Sequence, residues 1–574
     1  MCWVLAPLNS LEQLVWGYAL RDAVRHSGRA RVDSVMSMLL GDHPEFRAQA
    51  RVIVEIVKKV VDEVNRLSLE EQLSKLKTEF PELLEEKVRV EERRVLQPLP
   101  GAVEGRVVVR FAPNPDFYIH LGNARPAILC SEYAKMYKGK MILRFEDTDP
   151  RTKTPLREVY DAIREDLRWL GVVWHEEYIQ SLRLNIYYDI AREMIRRGCA
   201  YVDLCGDEGK KLLSEGSYCP DRDRDPSWHL EQFDRMLEGA YDEGEAVVRV
   251  KTDPRHPNPS VRDWVALRII DTTRYPHPIV GSKYIVWPTY NYAVSVDDHL
   301  MGVTHVIRGR EHEVNTVKQL YVYNCMSWSP PVFVHIGRLK LEGFILSKSK
   351  IRELLSREPE KFLGYDDPRF GTIAALRRRG ILPEAIRELI LSVGAKETDA
   401  TISWANLASI NRKLLDPIAD RIMYVNNPEE LVYEGDCVDA EIPYHPERPE
   451  KRVIRLCRGD VIMVNKDDVK LGEVRLMGAV NVKLEGGRAI MTSRDLRYAR
   501  ERKLQIIQWV PKRDAVKLTI YKPEGLEMKK IEGYAENTLK AYKVDSKLQL
   551  VRFGFIRIDR VEEDGSYKAF LIHE

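Results

Sequence analysis

The sequence predicts a multidomain α/β protein. Its centre reads as a doubly wound parallel-sheet domain broken by an insertion, with a helical N-terminal extension before it and a C-terminal β-barrel region after it. Three observations predict this. At 574 residues the chain is roughly four times the ~150 residues of one domain. From residue 106, short apolar strands alternate with helical stretches, as in parallel βαβ units. Beyond about residue 425 come short alternating strands split by Gly, Pro and Asp, the pattern of small barrels.

Composition narrows the class further. Lys and Arg number 90 and Asp and Glu 88, a net charge of +2, so a polyanion partner would need a local basic patch. No apolar run reaches the ~18 residues of a membrane span, and no Lys or Arg precedes Arg21, so a membrane or secretory protein is not expected. The eight cysteines are sparse and irregularly spaced, and read mostly as buried thiols of a reducing cytoplasm. A thermophile's charge-rich surface would fit the 31% charged residues, and disulfides do occur in such cytosols.

Taken in order, residues 1–97 read as a helical extension. Ser10 to Gln13 has the form of a capping box, and Leu11, Leu14, Val15 and Tyr18 share one face. A second apolar stripe runs through Ile53, Ile56, Val57, Val60 and Val64. Gln97-Pro98-Leu99-Pro100-Gly101 punctuates the chain as a linker. The first half of the sheet domain spans 104–200: a strand at Val107–Phe111, a helix from Leu121 to Tyr137 and a strand at Met141–Phe145. An insertion follows over 201–285, then the second half over 286–350, a helical connection over 351–422 and the barrels over 423–574. Barrel strands are read at Val453–Leu456, Val480–Leu484, Val516–Ile520 and Phe555–Ile558.

Two familiar phosphate-binding patterns are missing, since the chain holds neither GxxxxGK[ST] nor a single GxG. After the first strand, Arg110-Phe111-Ala112-Pro113-Asn114-Pro115 leads into His120-Leu121-Gly122-Asn123, which brings an imidazole and an amide to a helix N-terminus. That end offers free N–H groups and partial positive charge to a phosphate, and Gly122 would let a flat purine approach closely. Far along the chain, Ile345-Leu346-Ser347-Lys348-Ser349-Lys350 reads as a mobile loop whose cation closes over a triphosphate. Such a site stabilises charge on an α-phosphate and a leaving pyrophosphate. A substrate carboxylate can then be the nucleophile, so no protein nucleophile is required.

These segments resemble the HIGH (His120–Asn123) and KMSKS (Leu346–Lys350) signatures of class I aminoacyl-tRNA synthetases, and their flanks resemble archaeal-type glutamyl-tRNA synthetases. Leu143-Arg144-Phe145-Glu146-Asp147-Thr148-Asp149-Pro150, Pro288–Ala293, Val296-Asp297-Asp298, Val306–Gly309 and Gln505–Pro511 match in order. The resemblance implies that Arg110, Tyr290 and Arg308 meet glutamate's side-chain carboxylate and Glu146 its α-ammonium, with Asn114 also in the glutamate site. It assigns ATP, carried with Mg2+, to His120, Gly122, Asn123, Ser347 and Lys348, with His120, Asn123 and Lys348 catalytic. It makes 201–285 an acceptor-stem-binding insertion and 423–574 an anticodon-binding region. It also implies tRNA(Glu) as acceptor and activation that waits for bound tRNA. A dicarboxylic amino acid calls for guanidinium forks, which Lys cannot copy.

Glutaminyl-tRNA synthetase is the sister family, with Pro-Glu-Pro where this chain has Pro113-Asn114-Pro115, and Asp-Asp-Thr-Asn in place of Glu146–Asp149. Both differences favour glutamate and leave the charging of tRNA(Gln) open. Asn123, Phe117 and Ile345 depart from the family pattern and motivate the rival reading of a non-catalytic tRNA-binding scaffold. Asp203, Cys205 and Cys219, with Cys199 or His229 as a fourth donor, stand where related enzymes can hold zinc; buried cysteines without structural zinc are the expectation, and no resident metal is assigned. Arg377–Arg379 reads as a solvated face or a phosphate-contacting stripe, and Trp404 and Trp509 as core residues before base-stacking platforms. The resemblance thus implies a monomeric cytoplasmic glutamate–tRNA ligase.

Overall fold

The computed structural model describes residues 8–25, 28–43, 46, 50–80 and 96–574. Two compact units divide the chain, Met1–Val95 and Leu96–Glu574. In the first, four helices are described: α1 (Leu8–Arg25), α2 (Val32–Asp42), α3 (Ala50–Val64) and α4 (Leu69–Glu79). The apolar stripe expected on α3 is its inner face: Ile53, Val57, Val60 and Val64 are buried with Val15, Tyr18 and Leu76. The capping box does not fall at Ser10, because α1 is already helical at Leu8. Ser68 and Glu71 form one instead at the start of α4, each side chain bonding the other's backbone N–H.

The second unit is built on nine strands between residues 108 and 336. They are β1 (Val108–Phe111), β2 (Lys140–Phe145), β3 (Glu176–Ile179), β4 (Ala200–Asp203), β5 (Val247–Val250), β6 (Val265–Ile269), β7 (Val286–Pro288), β8 (His305–Gly309) and β9 (Val332–Ile336). Five make one parallel sheet in the order β3-β2-β1-β8-β9. The other four, β4 to β7, form an antiparallel sheet inserted between β3 and β8. Parallel strands need helical crossovers that cover their faces, which is why their sequences are almost continuously apolar.

This order has one consequence for function. The chain runs outward from β1 to β2 and β3, then returns to lay β8 and β9 on the other side of β1. The strand order therefore reverses between β1 and β8, and open parallel sheets bind ligands at the carboxyl ends of the strands flanking such a reversal. Arg110 and Arg308 sit near the carboxyl ends of these two neighbours.

Helix α5 (Leu121–Met136) follows β1 and packs on it. Its Arg125 is buried and donates to the carbonyls of Gly337, Gly394 and Lys396, fixing the helix against the segment after β9. Beyond residue 419 lie two seven-stranded barrel-like sheets. One gathers strands from 420–425 and 516–573, and the other strands from 428–511. Each has its own apolar core, Trp509 lying in the second, fully buried with Nε1 donating to Met477 O at 2.9 Å. Among the described residues, no helix is long and apolar enough to cross a membrane.

The cysteines correct the sequence reading. Cys199–Cys325, Cys205–Cys219 and Cys437–Cys457 are disulfides, and only Cys130 is a free buried thiol among the described residues. Separations of 126, 14 and 20 residues carry no hint that these pairs meet in space. Arg377–Arg379 is not a solvated face either. Arg377 pairs with Glu165, Arg378 with Asp366 and Asp559, and Arg379 is buried with its guanidinium 3.9 Å from the centre of the Trp404 ring.

Candidate active site

A cleft of about 940 Å³ opens at the carboxyl ends of β1, β2 and β8. Arg110, Asn114, His120, Gly122, Asn123 and Glu146 line it from one side, with Tyr290, Arg308 and Ser347 also in its wall. Of the residues assigned to glutamate or ATP from the sequence, Lys348 alone is outside the lining.

At the sheet end, charge is dense and buried. Arg110 Nε donates to Asp298 Oδ1 at 3.2 Å, and the same oxygen accepts from Arg144 at 2.7 Å. Arg144 also donates to Glu146 Oε1 at 3.0 Å. Burial alone would push the Asp298 carboxyl up, but the Arg110 and Arg144 guanidinium groups outweigh it and hold it below its ordinary value. Burial wins at Glu146, whose carboxyl is raised despite Arg144 and Arg110. Asp298 belongs to helix α6 (Tyr290–Leu300), whose neighbouring Asp297 is tied to Gln180, Arg183 and Tyr187.

Arg308 is held from another side, donating to Gln319 Oε1 at 3.0 Å and Thr316 Oγ1 at 2.6 Å, with Tyr290 Oη at 3.5 Å. Burial lowers its pKa, and Arg110 lies close enough to lower it further. Arg144 Nε, Arg308 Nε and Asn114 Oδ1 are buried here without a partner, and the last two belong to residues that line the cleft. Buried groups of this kind ordinarily have partners, so these two mark places for a ligand.

The other end is made of helix termini. His120 is the N-cap of α5: its Nδ1 accepts from Gly122 N at 3.0 Å, while Asn123 Oδ1 accepts from His120 N at 3.3 Å. Asn123 thus closes a capping box. Gly122 has a nearer reason than a purine, since a Cβ there would stand 2.9 Å from His120 Cε1. Burial, helped by the Lys348 charge, brings the His120 pKa down to about 4. Lys348 does not lie in a loop but starts helix α7 (Lys348–Arg357), because Ile351 and Leu354, one turn on, bury their side chains and fix the turn. Its ammonium donates to Asp116 Oδ1 at 2.8 Å.

The other departures from the family pattern have structural jobs. Phe117 fills an apolar cluster with Ile351, Leu354 and Phe370, and Ile345 makes a parallel bridge to Phe370 and packs on the same cluster. Arg144 and Asp298 were not assigned roles from the sequence. Their signal was a charge inside an apolar strand and an acidic pair inside an apolar helix.

In the insertion, Asp203, Cys205, Cys219 and Asp221 cluster within 4.8 Å. Cys199 and His229 do not join them, because Cys199 is bonded to Cys325 and His229 Nδ1 accepts from Val202 N. Cys205 and Cys219 as a disulfide offer no thiolate, Asp203 is bound by Arg249, and Asp221 by Arg224. This donor set does not fit zinc, which wants thiolate or imidazole ligands.

Comparison with known proteins adds the decisive observation. Residues 106–417 match the catalytic domain of the class I tRNA synthetases (E and Q), and 419–499 and 506–559 match two anticodon-binding domains of the same group. A glutamate–tRNA ligase from Aeropyrum pernix is 61% identical over 99% of this chain and 100% of its own length. One from Hyperthermus butylicus is 52% identical over 96% and 98%. The chain belongs to the glutamate–tRNA ligase family. A solved glutamate tRNA ligase from Elizabethkingia meningosepticum overlaps 55% of this chain and 70% of its own, at 25% identity and a TM-score of 0.40. Like other members of the family, this chain is a class I aminoacyl-tRNA ligase, and its five-stranded sheet with the cleft above it lies in the catalytic domain.

Proposed function

We propose that the cleft joins glutamate to ATP and then passes the glutamyl group to tRNA(Glu). Arg110 and Arg308, with Tyr290, hold the side-chain carboxylate, Glu146 takes the α-ammonium, and Asn114 offers its Oδ1 as a further acceptor to the amino acid. The neighbouring positions of two buried guanidinium groups on β1 and β8 carry this reading. A second carboxylate entering between them offsets their mutual repulsion and satisfies Arg308 Nε.

ATP enters as its magnesium complex, the metal arriving with the substrate. The α-carboxylate oxygen of glutamate attacks the α-phosphorus; the bond to the bridging oxygen breaks, and pyrophosphate leaves with that electron pair. His120, Asn123 and the partial positive charge at the start of α5 face the growing charge, with Gly122 and Ser347 beside the nucleotide and Lys348 reaching the triphosphate. His120 works as a neutral hydrogen-bonding group, given its depressed pKa. In the second step a terminal ribose hydroxyl of tRNA attacks the acyl carbon, AMP departs, and its phosphate can accept the hydroxyl proton.

The test is aminoacylation of purified tRNA(Glu) and tRNA(Gln), each with glutamate and with glutamine. Glutamate on tRNA(Glu) is the expected product, and the tRNA(Gln) arm measures breadth of acceptor. Glutamine on either tRNA would overturn the assignment of the amino acid pocket.

A further inference from the structure

The partner of Lys348 is Asp116, a residue with no part in the scheme above. Its carboxylate is 12% exposed, and the Lys348 side chain 32%. Arg352, one turn along α7, donates to the Asp116 backbone carbonyl and comes within 3.9 Å of Oδ2. The Arg352 guanidinium also lies 5.2 Å from the centre of the Phe117 ring, and Phe117 is packed against Ile351 and Leu354. The segment leading to His120 and the start of α7 are therefore joined by an apolar contact and by two cations sharing one carboxylate.

Only one of these ties involves Lys348. Its ammonium can leave while Phe117 keeps α7 docked, and Arg352 keeps the largely buried carboxylate from being stranded without a cation, the costly outcome when an ion pair is broken. Leu346 and Ser347 line the cleft and Lys348 does not, so the ammonium needs to turn only a short way to enter.

We propose that Asp116 is a positioning residue: a resident counter-anion that holds Lys348 until the triphosphate of ATP takes its place, and so sets the affinity for ATP. The inference rests on the assignment of Lys348 to ATP made above. A carboxylate and a triphosphate compete for the same ammonium. The nucleotide brings more negative charge and wins when it binds, and Asp116 recovers the cation as pyrophosphate leaves. The cost falls on nucleotide binding and not on glutamate, because an apparent affinity is reduced by the fraction of protein that is not competent to bind.

Asp116→Asn and Asp116→Ser in the full chain, assayed by pyrophosphate exchange with tRNA present, test this. Both are expected to lower the KM for ATP by about three- to tenfold and to leave the KM for glutamate unchanged. A KM does not depend on the folded fraction, so a less stable variant still reports. An ATP KM that is unchanged or raised in both variants overturns the proposal. Lys348→Gln in the same assay separates it from the reading beneath it. Wild-type exchange in that variant would overturn the role of Lys348, whereas lost exchange beside an unchanged ATP KM in the Asp116 variants would overturn the counter-anion alone.

Discussion

The two ends of the cleft are built on opposite plans. At the end proposed to hold glutamate, Arg110 and Arg308 rise from adjacent strands and the charges are fixed by several partners each: Asp298 binds two arginines, and Arg308 has three hydrogen-bonding neighbours. At the end proposed to hold ATP, the groups stand on helix termini and are partly exposed, and among the described residues Lys348 has one ion-pair partner. Under the proposed function, the difference would mean that recognition of a small acid relies on immobility, while handling a triphosphate relies on a group free to change partners.

The largest expected effect comes from breaking the rigid end. Asp298→Asn removes the charge that two buried guanidinium groups share, and a loss of about 3–5 kcal/mol in unfolding free energy by urea titration is expected. A loss below about 1 kcal/mol would mean this end is less rigid than drawn. Next, Arg308→Lys keeps the charge but loses the fork, and kcat/KM for glutamate should fall about 100- to 1,000-fold with the ATP KM little changed.

Lys348→Ala, at the adaptable end, should lower the activation rate about 100-fold while tRNA affinity, measured by filter binding, stays near wild type. Equal losses in both would contradict its role. The smallest effect concerns His120. With a pKa of about 4, it stays neutral through the neutral range, so the exchange rate should show no step near pH 6.5. In the unfolded chain the imidazole protonates near its ordinary value of 6.5, so its contribution to stability is full above that pH and is lost as pH falls toward 4. Comparing melting temperatures of wild type and His120→Asn at pH 7.5 and 4.5 checks this, the variant losing less on acidification.

The same contrast governs what could be read from the sequence. Strands β1 and β2, helix α5 and the barrel strands were legible because period and length identify buried apolar runs. Arg110, Asn114, Glu146, Tyr290 and Arg308 were legible through the family resemblance, and they gather in one cleft. Arg144 and Asp298 were not, because a charge in an apolar segment signals burial without naming its partner. The start of α7 was missed because a run of serines and lysines has no apolar period of its own; Ile351 and Leu354 fix it from one turn away. The disulfides were illegible for a related reason, since pairing depends on which strands and helices become neighbours.

One of those disulfides reaches across the molecule. Cys199 stands just before β4 and Cys325 near the end of the helix at Glu313–Met326, so the bond ties the entry of the insertion to the helix between β8 and β9. A protease nick at any peptide bond between them would leave both fragments on one covalent thread, migrating as a single species until a reductant is added. The thread thus closes a covalent loop that carries the inserted sheet together with Asp298 and Arg308.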